Sequence, residues 1–171
     1  MIEEFFPGEN VYVRDGYLVS RAVGVAIADM EDRVLNVKAA KELPLPKAGE
    51  SVYALVSNVK DLVAFLEVFY IEDRDKFLPT PLSGFLHVSN ASSSYVKSLY
   101  DIMGYGDIVR AKVLESGSPP VILSLKGREY GVILAKCPMC MKPLRRKGLY
   151  LYCFSCGKSF KRKVSSRYLV R

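Results

Sequence analysis

Between residues 50 and 127 the apolar residues come in short runs, and the clearest of them alternate with polar residues at the two-residue period of a half-buried strand. Five strands are predicted there: Val52–Val59, Leu62–Ile71, Gly84–Val88, Ile108–Leu114 and Val121–Leu125. In the fourth, Val109, Ala111 and Val113 share one face while Arg110 and Lys112 share the other, so a basic outer face is expected. Between the third and fourth strands, Ser92–Tyr100 reads as a short serine-capped helix with Val96, Leu99 and Tyr100 turned inward. Gly104-Tyr105-Gly106-Asp107 then turns the chain into the fourth strand. Five short strands with a small helix after the third point to an OB-type barrel.

The flanks differ from this pattern. Residues 1–46 hold shorter alternations (Val11 and Val13, Tyr17 and Val19, then Val23, Val25 and Ile27) separated by turn signals at Pro7-Gly8, Asp15-Gly16 and Asp29–Asp32. They predict a small β-domain that can bury little surface by itself. The stretch Lys41–Gly49, with Pro44, Pro46 and Gly49, reads as a hinge. Residues 131–171 carry all four cysteines. The expected fold is mainly β, with an N-terminal β-domain at 1–46, a five-stranded OB-fold barrel at 50–127 and a zinc ribbon at 131–171.

Charge sharpens this division. The net charge of the 171 residues is +7, yet Lys136–Arg171 holds 11 Lys/Arg and no acid, leaving 14 bases and 18 acids in residues 1–135. A mildly acidic body with a strongly basic tail suggests an acidic partner, commonly nucleic acid; charge kept for solubility is the plainer reading. No apolar run has the roughly 18–20 residues of a membrane span, so no membrane role is expected. The opening MIEEFFPGEN is too acidic and too poor in apolar residues for a signal peptide. A cytoplasmic location is expected, where four cysteines serve metal or redox chemistry rather than disulfides.

The cysteines are spaced for one metal. Cys137-Pro138-Met139-Cys140 is followed, twelve residues on, by Cys153-Phe154-Ser155-Cys156. Two thiolates two residues apart reach one ion from a single turn, and two such turns close a tetrahedron that suits zinc. Gly157 permits the positive φ such a turn needs. Lys147-Gly148, between Leu144 and Leu149–Tyr152, reads as the tip of a β-hairpin. Four thiolates leave no open position for water, so one structural Zn2+ is expected. It also answers how about forty residues hold a fold. A redox dithiol would sit at a helix start in a βαβ pattern, which is not seen.

The barrel offers a second constellation. Phe85 and His87 alternate on the third strand, and Phe65 lies on the adjacent second strand. Together they would form a platform for unpaired bases, each stack worth about 1–3 kcal/mol. Lys60, Arg110, Lys112 and Lys126 could supply phosphate contacts. Equally, both phenylalanines could be core and His87 an ordinary surface histidine. Glu72, Asp73 and Asp75, beside Arg74 and Lys76, read as a solvated loop rather than acid–base machinery or a magnesium site.

SGFLHVSNASSSYVKSLYDIMGYGDIVRAKVLESGSPPVILSLKG resembles the ribosomal S-one-type RNA-binding domain, through Gly84, His87, Ser89, Gly106-Asp107 and Leu123-Ser124. With FFPGENVYVRDGYL before it and the four-cysteine ribbon after it, the whole order resembles the archaeal exosome cap subunit of the Csl-four type. The resemblance implies a non-catalytic RNA-binding cap. Its N-terminal domain would dock on a hexameric ring of RNase PH-like subunits with 3′-to-5′ exoribonuclease activity, alone or mixed with a related KH-containing cap subunit. A primase-like protein is a further implied partner. Phe65 and His87 take the family's RNA-face positions. Leu62, Val63 and Ile122 stand where the family carries an aromatic, a glycine and a basic residue, so RNA binding should be weak and sequence-tolerant. The alternative is a free-standing zinc-ribbon/OB nucleic-acid-binding factor of translation or transcription, in which the N-terminal segment would be dispensable. An enzyme working through the cysteines or the acidic loop is opposed by the saturated metal site and the single histidine.

Overall fold

The computed structural model describes residues 5–40, 44–115, 119–148 and 150–170. Residues 41–43 of the expected hinge and Leu149 of the expected hairpin lie outside them. The chain divides into two compact units, Met1–Leu43 and Pro44–Arg171.

The first unit contains β1 (Phe6–Pro7), β2 (Val11–Arg14), β3 (Tyr17–Ser20), β4 (Gly24–Asp29) and β5 (Val34–Ala39). Asp15-Gly16 closes the β2–β3 hairpin, and β5 pairs antiparallel with β4 and parallel with β1. Val11 and Val37 are its buried hydrophobics among the described residues. Every residue of β4 is exposed, and Phe6, Tyr17, Val23, Val25 and Ile27 lie open to solvent. Among its described residues a unit this small buries few side chains fully, as the sequence leads one to expect.

The second unit opens with β6 (Ser51–Val59), β7 (Val63–Ile71), β8 (Lys76–His87), β9 (Ile108–Glu115) and β10 (Val121–Ser124). They pair in the order β10-β8-β7-β6-β9, and β10 returns to β9 and closes the barrel. Val52, Ala54 and Val56 face inward with Ala64, Leu66 and Val68, Leu86, Val109, Ala111 and Val113, and Leu123. Gly84 sits where β8 meets β10, and a Cβ there would lie 2.8 Å from Leu123 Cδ1. A larger residue would have to push the Leu123 side chain aside, so glycine suits this close approach. Then follow β11 (Gly131–Leu134), β12 (Arg145–Lys147), β13 (Tyr150–Cys153) and β14 (Lys158–Phe160). The last three form an antiparallel ribbon sheet.

Four expectations are corrected. The third strand begins at Lys76, not Gly84. Pro79 and Pro81 fall in an irregular stretch where Phe77 still pairs with Tyr70 and Leu82 with Val68, so neither proline interrupts the ladder. The segment Ser92–Tyr100 forms no α-helix: only Leu99–Asp101 makes a 3₁₀ turn, Leu99 is buried and Tyr100 is exposed. Asp61 takes the helix's hydrogen bonds, accepting Leu99 N–H on its carbonyl and Ser98 Oγ–H on its carboxylate. Residues Gly131–Leu134, expected with the ribbon, instead add a strand to β9.

Fourth, Arg110 is not on a basic outer face. Its side chain is 8% exposed and donates to Glu72 Oε2 at 2.6 Å and Ser51 Oγ at 3.3 Å. Glu72 Oε1 also accepts from Tyr53 OH at 3.0 Å and Arg167 Nη1 at 2.5 Å. Arg110 Nη1 has no hydrogen-bond partner, and the guanidinium lies 4.8 Å from the centre of the Tyr130 ring. The acidic turn is thus partly a staple: Glu72 ties β6, β9 and the C-terminal tail together, and Asp73 accepts Ser51 N–H. Among the described residues no helix is long and apolar enough to cross a membrane.

Burial pushes the Glu72 carboxyl up, but the hydrogen bonds from Arg110 and Tyr53 and the charges of Arg110 and Arg167 outweigh it and hold it below 4.5. Glu72→Gln should cost about 2–3 kcal/mol at neutral pH, read by urea unfolding, because it strands a buried guanidinium. The unfolded chain takes up this proton first as pH falls. The stabilisation is therefore complete above pH 4.5 and is lost as pH falls through the depressed folded value. The gap between wild type and variant should shrink below that pH; a constant gap would refute the network's charge.

Candidate nucleic-acid interface and metal centre

On the outer face of the barrel, Phe65 of β7 stands directly opposite Phe85 of β8, and His87 stands opposite Val63. The phenylalanine rings meet edge to face with centroids 5.9 Å apart. Phe65 is 41% exposed, so it is not core. Ile122 of β10 pairs with Phe85. The residue that read only as a lost basic contact therefore lengthens an apolar row across three strands. Leu62 is exposed at the β6–β7 turn.

His87 Nδ1 accepts the Ser89 amide at 3.3 Å and lies 2.8 Å from Ser89 Oγ. An acceptor role at Nδ1 puts the proton of the neutral ring on Nε2, as a donor facing outward. The arrangement offers ring faces and one donor, enough to stack a base and hold one oxygen without reading sequence.

The expected cations divide. Lys60 is exposed in the β6–β7 turn, its amide bonded to Val63 O, across from His87. Lys126 is exposed just beyond β10 and shares a cleft with Ser89. Lys112 is exposed on β9 opposite Ser124 of β10, so it comes near the Ile122 end of the row and not beside the phenylalanines. Arg110 is committed to Glu72. Glu67 is exposed opposite Ser83, two residues from Phe65 on the same face, and places negative charge beside the row.

The four cysteines come together in the second unit. All four Sγ atoms lie within 4.8 Å of one another. Cys137 and Cys156 sulfurs are 3.9 Å apart and those of Cys140 and Cys153 3.5 Å, so no pair is bonded. A tetrahedral thiolate site with metal–sulfur distances of about 2.3 Å has edges of about 3.8 Å, which these spacings fit. The two turns match: Met141 N–H donates to Cys137 O and Gly157 N–H to Cys153 O, both at 2.8 Å. Met141 and Gly157 also share positive φ values of 57° and 66°. Glycine fills the second position at no cost, while the first makes a methionine adopt it. Cys137 and Cys153 are buried, and four sulfurs could hold one cation with no place left for a substrate.

No protein-family model matches the chain. Over 166 residues it is 34% identical to the exosome complex component Csl4 of Archaeoglobus fulgidus, a match spanning 97% of this chain and 90% of that relative. A stretch of 97 residues, 56% of this chain, is 30% identical to the polyribonucleotide nucleotidyltransferase of Desulfosudis oleivorans but covers 12% of that protein. Among solved structures, the intact alpha subunit of aIF2 from Pyrococcus abyssi is similar over 47% of this chain and 29% of its own, with 31% identity and a TM-score of 0.38. A likeness of that size carries no argument.

The purified protein should contain one equivalent of a thiolate-bound divalent cation. Its four thiols should react slowly with a disulfide reagent until a strong chelator is added, then all titrate rapidly while the melting temperature falls. Four fast thiols and no metal from the outset would overturn this assignment.

Proposed function

The chain belongs to the Csl4 family of exosome components, and we propose that it is a non-catalytic, RNA-binding cap of the exosome in the cytoplasm. The observation that carries this reading is the outer-face row of exposed Phe65 and half-buried Phe85 and Ile122, with exposed His87 at its side. It provides stacking and one hydrogen-bond donor, with the Ser89 hydroxyl and amide both engaged in orienting His87. Such a face guides a strand and cuts nothing. With two exposed aromatics at most and Glu67 alongside, a single copy binds RNA weakly and without sequence preference. Several copies around one pore would raise the effective concentration of these weak contacts.

The N-terminal unit is the docking element, held against a hexameric ring of RNase PH-like subunits that performs the 3′-to-5′ degradation. Its exposed β4, with Val25 and Ile27 facing solvent, supports this, because monomeric proteins rarely leave such contiguous apolar surface uncovered. The cation of the ribbon is zinc, a structural ion that four thiolates select. The related KH-containing cap subunit and a primase-like protein complete the set of partners.

Capture of the tagged chain from its native lysate after nuclease treatment should retain RNase PH-like subunits. Val25→Asp with Ile27→Asp should release them while leaving RNA binding intact. Ribosomal or polymerase subunits in their place would establish a free-standing factor instead. Phe65→Ala should weaken single-stranded RNA binding at low salt by about 1 kcal/mol, roughly fivefold in Kd. An unchanged Kd would remove the barrel face from the reading.

A further inference from the structure

Three clefts adjoin where the barrel meets the ribbon. The first, about 570 Å³, contains Ser89, the residue that orients His87, together with Lys126. It shares Ser92 and Ser93 with a second cleft of about 510 Å³ walled by Arg128, Arg146, Lys163 and Ser166. The second shares Arg146 and Ser166 with a third of about 400 Å³ beside the Gly148 turn. The result is a track of cations and hydroxyls with no carboxylate among its described lining residues, Glu129 standing just beside Gly127 and Arg128, and it runs from Ser89, next to the aromatic row, to the ribbon.

These cations differ from the arginines that the fold uses internally. Arg74, Arg110, Arg162 and Arg167 are each paired with a carboxylate. Among the described residues Lys126, Arg128, Arg146 and Lys163 make no ion pair. Lys163 is half-buried, with its ammonium directed at the carbonyls of Leu125 and Gly127, and burial pushes its pKa down to about 8. An anion in the cleft would offset that desolvation. A single small anion would need one cleft, whereas three in line suit a ligand with repeating charges. Guanidinium forks and serine hydroxyls are donors that phosphate oxygens accept from.

We propose that this track binds the phosphodiester backbone of single-stranded RNA as the strand leaves the aromatic row, extending the RNA path from the barrel onto the ribbon. The inference rests on the barrel face engaging RNA. It also accounts for phosphate contacts despite Ile122, since the basic groups stand beyond β10 instead of on it.

The test uses the full chain and oligouridylates of about 4 and about 16 nucleotides, the range of an OB-fold site. Arg128→Gln with Arg146→Gln is the informative variant, because both side chains are exposed and make no ion pair, Arg146 holding only the Gly148 carbonyl of the exposed turn at 3.3 Å; Lys163 is left alone because it is half-buried and holds the Leu125–Gly127 backbone. A matched melting temperature verifies the fold, and Arg128→Lys with Arg146→Lys serves as the charge-preserving partner. The expected result is about a tenfold loss of affinity for the long RNA near 50 mM salt and a log–log salt slope shallower by about 1.4, two contacts at about 0.7 each. The short RNA is unaffected, and the Lys pair restores the slope. Unchanged affinity and slope for the long RNA overturn the track. If Phe65→Ala weakens the short RNA in that case, the barrel reading survives alone. A loss in the Gln pair with none in Phe65→Ala overturns the barrel reading and leaves the track as an independent site. Competition by polyglutamate as strong as by RNA overturns the assignment to RNA in favour of an acidic polypeptide.

Discussion

One buried carboxylate holds the second unit together. Asp107 is fully buried at the start of β9. Its Oδ2 accepts from Gly104 N at 2.7 Å and from Arg162 Nε at 2.9 Å, and its Oδ1 from Lys136 N at 3.2 Å. Its own carbonyl accepts Val56 N–H from the barrel wall. Those partners belong to the turn into β9, the approach to the first cysteine turn and the segment leaving the ribbon. Burial pushes the Asp107 carboxyl up, against Arg162 and the two amides that pull it down. A carboxylate removed from water in this way is tolerable only because its donors are all present at once. The sequence showed Asp107 as half of a glycine–aspartate turn; the structure makes it the joint between two modules.

From that joint the rest of the arrangement follows. The chain crosses from barrel to ribbon through β11, which adds to β9, and crosses back along Lys163–Leu169. There Val132 N–H donates to Lys163 O, Ser165 N–H to Val132 O and Leu169 N–H to Ile133 O. Tyr168 OH donates to Leu144 O at 2.6 Å from inside the unit, and Arg167 reaches Glu72 on the far side. The ribbon is therefore not a pendant finger. The basic tail serves two purposes: Arg162 and Arg167 spend their charge on internal carboxylates, while Arg128, just before the tail, and Arg146 and Lys163 within it keep theirs unpaired toward the clefts. Composition alone shows an acid-free segment and cannot separate these uses, because pairing depends on Asp107 and Glu72, which lie 55 and 95 residues away from Arg162 and Arg167.

Local pattern made most of the barrel legible. The two-residue period places β6, β7, β9 and β10 to within a residue or two, and the cysteine spacing specifies the cluster outright. What it missed has one cause, since each error arose where a distant group decides a local outcome. The alternation that put Arg110 outside the barrel was right about direction, yet Glu72 and Tyr130 cover that outside. Serine and spacing favoured a helix at Ser92–Tyr100, but Asp61 claims its hydrogen bonds. The strand expected from Gly84 runs back to Lys76, because its two prolines fall between Phe77 and Leu82 where β7 makes no demand on them. Gly131–Leu134 has strand character, and only the free edge of β9 decides which module it joins.

The same logic bears on how RNA would be held. The aromatic row is short, and Ile122 in place of a basic side chain leaves it apolar where phosphates would run. Stacking on Phe65 and Phe85 fixes bases but opposes nothing to the charge of the backbone. A strand lying only on this row, with Glu67 beside it, would be repelled at its phosphates. Apart from Lys60 at the β6–β7 turn, the unpaired cations begin at Lys126, next to the serine that orients His87, so base stacking and most of the charge neutralisation are supplied by consecutive surfaces. The aromatic row alone is therefore a weak platform, and the rigid joint at Asp107 is what keeps the two surfaces in line.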